Sequence, residues 1–197
     1  MKARQNPFRT ERMLQVRYRL ADEQWAGLLA RCRQLNYFCA IIGPHGSGKT
    51  TLLEDLEPRL KALGFSIHFL QLTADNPGFA PGVLKKLFAE LGPKKLILFD
   101  GAEQMSFLAW LWFRWRTRKA GGLLITTHRR GRLPTLWQCH TSAELLAEIG
   151  AELLGTTCDS VSMQASLLFQ SHRGNLREAL LEWYDLAGTA PMSSPYS

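Results

Sequence analysis

Short apolar runs alternate with longer amphipathic stretches over about the first two thirds of the chain. The apolar runs are β-prone and of strand length, which predicts five buried strands, at 37–42, 66–72, 95–100, 123–127 and 135–139. Helical spacing of the apolar positions, with Gly and Pro at the breaks, predicts helices at 22–34, 49–63, 81–91 and 102–119. Alternation of this kind is typical of a parallel sheet covered by helices on both faces. The pattern therefore predicts an α/β protein built as a three-layer parallel sheet sandwich.

The pattern changes after residue 140, where only helical periodicity follows. Thr141 with Glu144 three residues later predicts a capping box. Three helices are expected, at 142–154, 160–171 and 175–187. The Pro- and Ser-rich C-terminal segment is expected to be frayed. The predicted organisation is a core over 1–140, a small C-terminal helical lid over 141–188 and a disordered tail over 189–197.

A glycine-rich segment directly follows the first predicted strand. It fits the pattern G-x-x-x-x-G-K-[ST] with Gly43, Pro44, His45, Gly46, Ser47, Gly48, Lys49 and Thr50. The three glycines can adopt positive φ, which turns backbone N–H groups toward one point at the start of a helix, and phosphate oxygens bind there. Lys49 is expected to reach the β- and γ-phosphates, Thr50 to bind Mg²⁺, and Thr51 to face the α-phosphate. The segment predicts a nucleotide-binding loop, here called the phosphate loop.

The third predicted strand ends in a carboxylate. Four apolar residues precede Asp100, an arrangement that places an acid beside the phosphate loop, where it holds Mg²⁺ through a water. Many nucleotide hydrolases put a glutamate directly after this aspartate, but here Gly101 and Ala102 intervene before Glu103. We expect Glu103 to be the general base. Two alternatives remain: Glu103 caps the following helix, or Gln104 orients the attacking water.

These motifs together resemble those of the AAA+ and related signal-transduction ATPases, within the additional-strand class of phosphate-loop (P-loop) NTPases. The resemblance covers roughly residues 6–187, and Asn6–Phe8 weakly resembles an adenine-side entry. The segment from Gly174 to Leu180 looks like the G-[DN]-x-R-x-A-L motif of the family's lid, with Asn175 and Arg177 in the matching positions. The resemblance implies that Arg177 is a sensor arginine that reaches the γ-phosphate from the lid.

The resemblance also assigns roles to the residues that follow the fourth strand. A polar residue at this strand end senses the γ-phosphate, and Thr127 or His128 fits that role, although a lone histidine is as often a surface residue. The loop before the fifth strand is where the family carries an arginine finger into a neighbouring subunit. The candidates are Arg129, Arg130 and Arg132, with ordinary loop basicity as an equal alternative.

Composition adds limits on the cellular setting. The formal net charge is +7, with 24 Lys and Arg against 17 Asp and Glu, which permits a polyanionic partner but does not require one. The cysteines, Cys32, Cys39, Cys139 and Cys158, form no C-x-x-C pair and are expected to be small core residues. With no signal-like apolar stretch and no run of 18 apolar residues, we expect a cytoplasmic protein without a membrane partner.

One aromatic stretch stands out from this background. Residues 108–115 contain Trp110, Trp112, Phe113 and Trp115, and a buried helix beside the sheet is the favoured interpretation. Basic residues follow at Arg114, Arg116, Arg118 and Lys119, for which a solvated face is favoured over a nucleic-acid contact.

Three functions are compatible with these residues. The leading hypothesis is a Mg²⁺-dependent ATPase whose lid movement acts on a protein or DNA partner, with homo-oligomerisation left open. A second is a small P-loop kinase, which would transfer phosphate to an acceptor instead of water. A third is a switch that binds nucleotide without significant hydrolysis, because Glu103 lies too far away to catalyse. The expected ligands are ATP and Mg²⁺. The family resemblance implies adenine rather than guanine, and no guanine-reading N-K-x-D motif is present.

Overall fold

The structure, a computed structural model, describes residues 20–189. The suggested adenine-side segment Asn6–Phe8 and residues 190–197 of the predicted tail lie outside this range. The described residues form two compact units. Residues 20–43 and 48–139 make up the first, which we call the sheet unit, and residues 44–47 and 140–189 make up the second, the helical unit. No helix within residues 20–189 combines the length and the hydropathy that crossing a bilayer requires.

The sheet unit contains five parallel strands and four α-helices. In chain order they are α1 (Asp22–Gln34), β1 (Phe38–Ile42), α2 (Lys49–Ala62), β2 (Ser66–Gln71), α3 (Val83–Ala89), β3 (Lys95–Asp100), α4 (Phe107–Arg116), β4 (Gly122–Thr127) and β5 (Thr135–Gln138). The strand order is β2-β3-β4-β1-β5, so β1 lies between β4 and β5, and β3 is the next strand beyond β4. This order brings the carboxyl ends of β1, β3 and β4 to one edge of the sheet, where the predicted site residues lie.

Alternate residues of a strand are buried on opposite faces of the sheet. In β1, Cys39 and Ile41 pack with α1 and α2, whereas Ala40 and Ile42 pack on the opposite face with α3 and α4. Alternate residues point to opposite faces of a strand, and both faces of the sheet are covered by helices. The central strands β1, β3 and β4 are therefore buried along almost their whole length, whereas the edge strands β2 and β5 are partly exposed. The predicted three-layer α/β sandwich is confirmed.

The prediction of one continuous helix over 102–119 is wrong. The segment forms a 3-10 turn at Ala102–Gln104, then α4, then a second 3-10 turn at Thr117–Lys119. Ser106 has extended backbone angles, and its hydroxyl accepts a hydrogen bond from Ala109 N at 3.3 Å. A serine in this position begins a helix anew, because its side chain satisfies one of the N–H groups that lack an intrahelical partner.

Helix α4 is buried on only one of its faces. Trp110 and Phe113 are buried in the sheet unit's core, as the sequence interpretation requires. The other face is exposed, with five large apolar residues at Phe107, Leu108, Leu111, Trp112 and Trp115. The expectation of a buried helix is therefore wrong for half of the aromatic stretch.

The helical unit contains three helices around a separate apolar cluster. They are α5 (Ala143–Leu154), α6 (Cys158–Ser171) and α7 (Leu176–Thr189). The residue that caps α5 is Ser142, whose hydroxyl accepts a hydrogen bond from Leu145 N at 3.2 Å, so the prediction that Thr141 forms the cap is wrong by one residue. Gly155 ends α5 in the left-handed conformation.

The cysteines are core residues with one exception. Cys32, Cys39 and Cys139 are buried, which confirms the sequence expectation for these three. Cys158 is exposed at the start of α6, so the expectation is wrong for this residue.

Candidate nucleotide-binding site

The phosphate loop links the end of β1 to the start of α2. Gly46 and Gly48 have positive φ of 69° and 79°, a conformation that L side chains rarely adopt, and Gly48 is the N-terminal cap of α2. Gly43 does not have a positive φ, contrary to expectation. It instead continues the sheet, with its N–H donating to Thr127 O at 3.3 Å.

Lys49 is buried in the first turn of α2. Its Nζ donates a hydrogen bond to Gly43 O at 2.9 Å, so the ammonium group folds back over the start of the loop. Burial lowers the pKa of Lys49, and the negative charges of Glu103 and Asp100 counteract that effect. The lysine and the two candidate carboxylates therefore act on one another electrostatically.

Asp100 is fixed by side chains from three other elements. Its Oδ2 accepts hydrogen bonds from Thr50 Oγ1 at 2.9 Å and from Gln71 Nε2 at 3.2 Å. Its Oδ1 accepts one from Thr126 Oγ1 at 2.5 Å. The same Thr126 oxygen accepts from Gly101 N at 2.8 Å. Because the carboxylate is held on both oxygens, its orientation toward Thr50 is set before any ligand arrives.

Thr50 and Asp100 are also the residues that we expected to hold Mg²⁺. Hydroxyl and carboxylate oxygens are the ligand types that this hard cation prefers, and it commonly keeps several waters and uses only one or two protein groups. The 2.9 Å contact between the two oxygens fits such a minimal pair. Within residues 20–189 no group of three or more His, Cys, Asp and Glu side chains is arranged to hold a metal ion.

The position after Asp100 has room only for glycine. Gly101 has a φ of 79°, and a Cβ there would overlap the carbonyl oxygen of Leu72. A glutamate directly after Asp100, as in many nucleotide hydrolases, would therefore clash with the neighbouring backbone. The left-handed turn leads into the 3-10 turn that carries Glu103, which gives a physical reason for the unusual spacing.

Glu103 is paired with His128 at the end of β4. Glu103 Oε1 lies 2.8 Å from His128 Nε2, and His128 Nδ1 lies 3.2 Å from Gly43 O. Within the described residues, Glu103 Oε2 is buried and has no hydrogen-bond partner. One carboxylate oxygen is thus held in place, while the other has unused capacity to accept a proton or a hydrogen bond.

The two sensor candidates differ in their contacts. Thr127 is buried, and its backbone oxygen accepts from Gly43 N. His128 is the residue that contacts Glu103. The threonine that reaches Asp100 is Thr126, which the sequence analysis did not select.

The three arginine-finger candidates also differ in their contacts and exposure. Arg132 points into its own unit, where Nη2 donates to Met105 O at 2.6 Å and the guanidinium lies 5.1 Å from the Trp110 ring. Arg130 donates to Gln138 Oε1 at 2.8 Å, and Arg129 is exposed. Of the three, Arg129 and Arg130 are therefore better placed than Arg132 to reach another molecule.

In the helical unit, the tip of the phosphate loop lies against the start of α7. A Cβ at Gly46 would overlap Asn175 Oδ1 and would lie 3.1 Å from Arg177 N. Asn175 Oδ1 also accepts from Glu178 N at 3.3 Å, which caps α7. Arg177 is exposed on the first turn of that helix. The G-N-x-R segment and Gly46 thus pack closely, and a side chain at position 46 would both strain the positive φ of 69° and displace the Asn175 side chain.

Other predicted loop residues have simpler surroundings. Ser47 is buried, and its Oγ donates to Pro44 O at 2.9 Å, which stabilises the loop internally. His45 is exposed, and Thr51 is half-buried in the first turn of α2.

Sequence reasoning missed two residues of the site, Gln71 and Thr126. Each ends or nearly ends a strand beside β3, and the strand register pairs Gln71 with Asp100. A polar residue at the end of an otherwise apolar strand was the available signal, but the strand order was needed to identify the neighbours of β3.

Comparison with known proteins bears on the fold. No protein-family model and no curated protein matches the chain. The structure is similar to that of a point variant of RuvB from Thermotoga maritima, with 17% identity, a TM-score of 0.52, and coverage of 82% of this chain and 60% of RuvB. It is also similar to the replication initiator DnaA bound to AMPPCP and single-stranded DNA, with 12% identity, a TM-score of 0.58, and coverage of 89% of this chain and 64% of DnaA.

At these identities the likenesses bear on the fold alone, and they show that the chain has the α/β P-loop fold that the motifs led us to expect. The chain spans less than two thirds of the length of either protein.

Proposed function

We propose that this chain binds ATP together with Mg²⁺ and hydrolyses ATP. The observation that carries the proposal is the 2.9 Å contact between Thr50 of the phosphate loop and Asp100 at the end of β3. Two elements that are 50 residues apart in sequence supply adjacent oxygens beside the buried Lys49. This is the arrangement that positions a cation next to a bound triphosphate in P-loop proteins.

Each site residue has one part in this proposal. The backbone N–H groups of residues 43–51 and the start of α2 bind the phosphates. Lys49 turns from Gly43 O toward the β- and γ-phosphates and binds them as a positive charge. Thr50 and Asp100 would hold Mg²⁺, which neutralises developing charge on the phosphate oxygens when it is bound.

Glu103 is the proposed general base. Its Oε2 has no hydrogen-bond partner within residues 20–189 and so keeps the capacity to accept a proton. Because this oxygen is buried, the proposal requires nucleotide binding to admit the attacking water beside it. His128 is a positioning residue in this scheme, because it holds Oε1 and fixes the direction of the carboxylate. Gln104 stays the alternative group for orienting the water.

The proposed roles of the lid, the partner and the arginine fingers rest on the family resemblance. We propose that residues 141–188 act as a lid that closes when Arg177 binds the γ-phosphate, and that lid movement acts on a protein or nucleic-acid partner. The DnaA structure was determined with single-stranded DNA, which makes DNA the first partner to test. Arg129 and Arg130 are proposed to reach a neighbouring copy if the chain forms oligomers.

The direct test is Mg²⁺-dependent ATP binding and phosphate release by the wild type and Lys49→Ala. We expect binding to weaken roughly tenfold to hundredfold, because a hydrogen bond to a charged group contributes roughly 1.5–3 kcal/mol. Lys61→Ala is the matched control, since Lys61 belongs to the same helix but pairs with Glu57 at the surface. Equal ATP affinity of wild type and Lys49→Ala would refute the proposal.

The nucleotide switch is the second candidate. The pairing of Glu103 with His128 favours this candidate, because His128 occupies one oxygen of the proposed general base and so lowers its capacity to activate water. Tight ATP binding by the wild type without phosphate release would establish the switch in place of the ATPase. Transfer of phosphate to an acceptor would indicate a kinase.

A further inference from the structure

The exposed face of α4 forms a convex apolar ridge on the sheet unit. It consists of Phe107, Leu108, Leu111, Trp112 and Trp115, whose exposure ranges from 48% to 76%. The spacing of these five residues places them on one face of the helix, and the opposite face, with Trp110 and Phe113, is buried in the core. Contiguous apolar surface of this kind on a folded unit marks a site of interaction.

The borders of the ridge are positively charged. Arg114 and Arg116 flank it within α4, and Arg118 and Lys119 follow at its C-terminal end. The guanidinium groups lie close to aromatic rings, with Arg116 4.8 Å from Phe88 and Arg118 5.0 Å from Trp115. The cations therefore remain at the edge of the apolar surface instead of extending away from it.

Charge is distributed unevenly along the chain in a way that favours an anionic partner. Residues 104–139 contain seven Lys and Arg and no Asp or Glu, so this segment alone carries a charge equal to the +7 of the whole protein. On the adjacent helix α3, Phe88 contacts Trp112, and the exposed charged residues of that helix are Lys85 and Lys86. The acid that follows it, Glu90, pairs with Lys95.

Three kinds of anionic partner fit such a charge, and the shape and chemistry of the ridge distinguish them. Single-stranded nucleic acid requires aromatic faces for base stacking, but the most exposed residue is Leu108, Leu111 lies beside it, and Arg118 covers one face of Trp115. A folded protein would need a groove complementary to a convex helix. A lipid surface deforms around such a ridge, and Trp, Phe and Leu bordered by Arg are the side chains that enter the interfacial region.

We infer that the α4 ridge docks the protein on an anionic lipid membrane. The five apolar side chains enter the boundary between headgroups and acyl chains, roughly 5–10 Å deep, and the surrounding arginines and lysines bind the lipid phosphates. This inference departs from the sequence expectation of no membrane partner, because the sequence did not reveal that the apolar face of α4 is exposed. It is independent of nucleotide binding.

The test is sedimentation of the full chain with vesicles of phosphatidylcholine, with and without phosphatidylserine. We expect binding to the anionic vesicles, accompanied by a blue shift of tryptophan emission. Binding to neutral vesicles should be at least tenfold weaker, since each Lys or Arg near an anionic surface contributes about fivefold. The double variant Leu108→Glu/Leu111→Glu should lower the partition onto anionic vesicles at least tenfold.

The matched control is Met163→Glu/Leu167→Glu on α6, which changes two apolar residues of the helical unit that are at least as exposed as Leu108 and Leu111. It should bind anionic vesicles like the wild type, and thermal melting should show that both double variants are folded. Absence of vesicle binding by the wild type would overturn the inference. Unchanged vesicle binding by the ridge variant would also overturn the inference. If that variant then lost affinity for single-stranded DNA, the ridge would be a nucleic-acid site, and if an oligomer of the wild type dissociated, the ridge would be an interface between copies of the chain.

Discussion

Glu103 and His128 form the pair that links the candidate base to the phosphate loop. Their Oε1 and Nε2 atoms lie 2.8 Å apart, and the second ring nitrogen of His128 faces Gly43 O at 3.2 Å. A carbonyl oxygen and a carboxylate oxygen both only accept, so both contacts are hydrogen bonds only when each ring nitrogen carries a proton or when Glu103 itself is protonated. The pair thus connects the protonation of the base to the backbone that starts the phosphate loop.

Glu103→Gln should abolish most turnover and leave ATP binding intact. The amide keeps the shape of the side chain but cannot accept a proton, and loss of a general base lowers kcat roughly 100-fold to 10,000-fold. Phosphate release and fluorescent-nucleotide binding measure the two effects separately. Glu57→Gln, which alters a surface glutamate paired with Lys61, is the control. Unchanged kcat in Glu103→Gln would exclude this residue as the base and favour Gln104.

His128→Ala should reduce kcat about tenfold, because Glu103 loses the contact that directs its carboxylate but keeps its proton-accepting group. ATP affinity should change little, since the contact of His128 Nδ1 with the loop is to the backbone oxygen of Gly43. Steady-state kinetics over a range of ATP concentrations separates kcat from KM. An increase in KM with constant kcat would show that His128 acts on nucleotide binding instead of on the base.

Gly101→Ala should destabilise the fold strongly. The substitution combines the strain of a positive φ with an overlap between the new Cβ and Leu72 O, which together cost about 2–5 kcal/mol. Gly64→Ala is the matched control, because Gly64 has a φ of 88° but nothing within 4 Å of the added carbon, so only the strain of roughly 1–2 kcal/mol remains. Urea unfolding of both variants gives the difference, and equal midpoints would contradict the packing described for Gly101.

Two tryptophans of α4 should respond differently to truncation. Trp110→Ala removes a buried side chain and should lower the free energy of unfolding by about 3–5 kcal/mol. Trp112→Ala removes one that is 48% exposed and contacts Phe88, and it should lower this free energy by half as much, roughly 1.5–2.5 kcal/mol. Chemical denaturation monitored by far-ultraviolet circular dichroism compares the two. Similar losses would mean that the outer face of α4 is buried in solution.

The sequence by itself determined most of the secondary-structure elements and the position of the phosphate loop between β1 and α2. Hydrophobic periodicity is a local property, and it predicted α1 and β3 with the bounds that the structure has. It also predicted Asp100 as the carboxylate at a strand end, and the contact between Thr50 and Asp100 is consistent with that prediction. Local patterns succeed here because a strand, a helix or a phosphate loop is specified by residues close together in the chain.

Only the tertiary structure decided which distant residues meet. The strand order places Gln71 and Thr126 on Asp100, and the end of β4 places His128 on Glu103. The backbone of Leu72 explains why Gly101 is required, and packing on the sheet decides which face of α4 remains exposed. These relationships depend on contacts between residues that are 14 or more positions apart, as in the pair Phe99 and Phe113 or the pair Gln71 and Asp100. Periodicity along the chain carries no information about such contacts, because they are set by how the strands pair and how the helices pack.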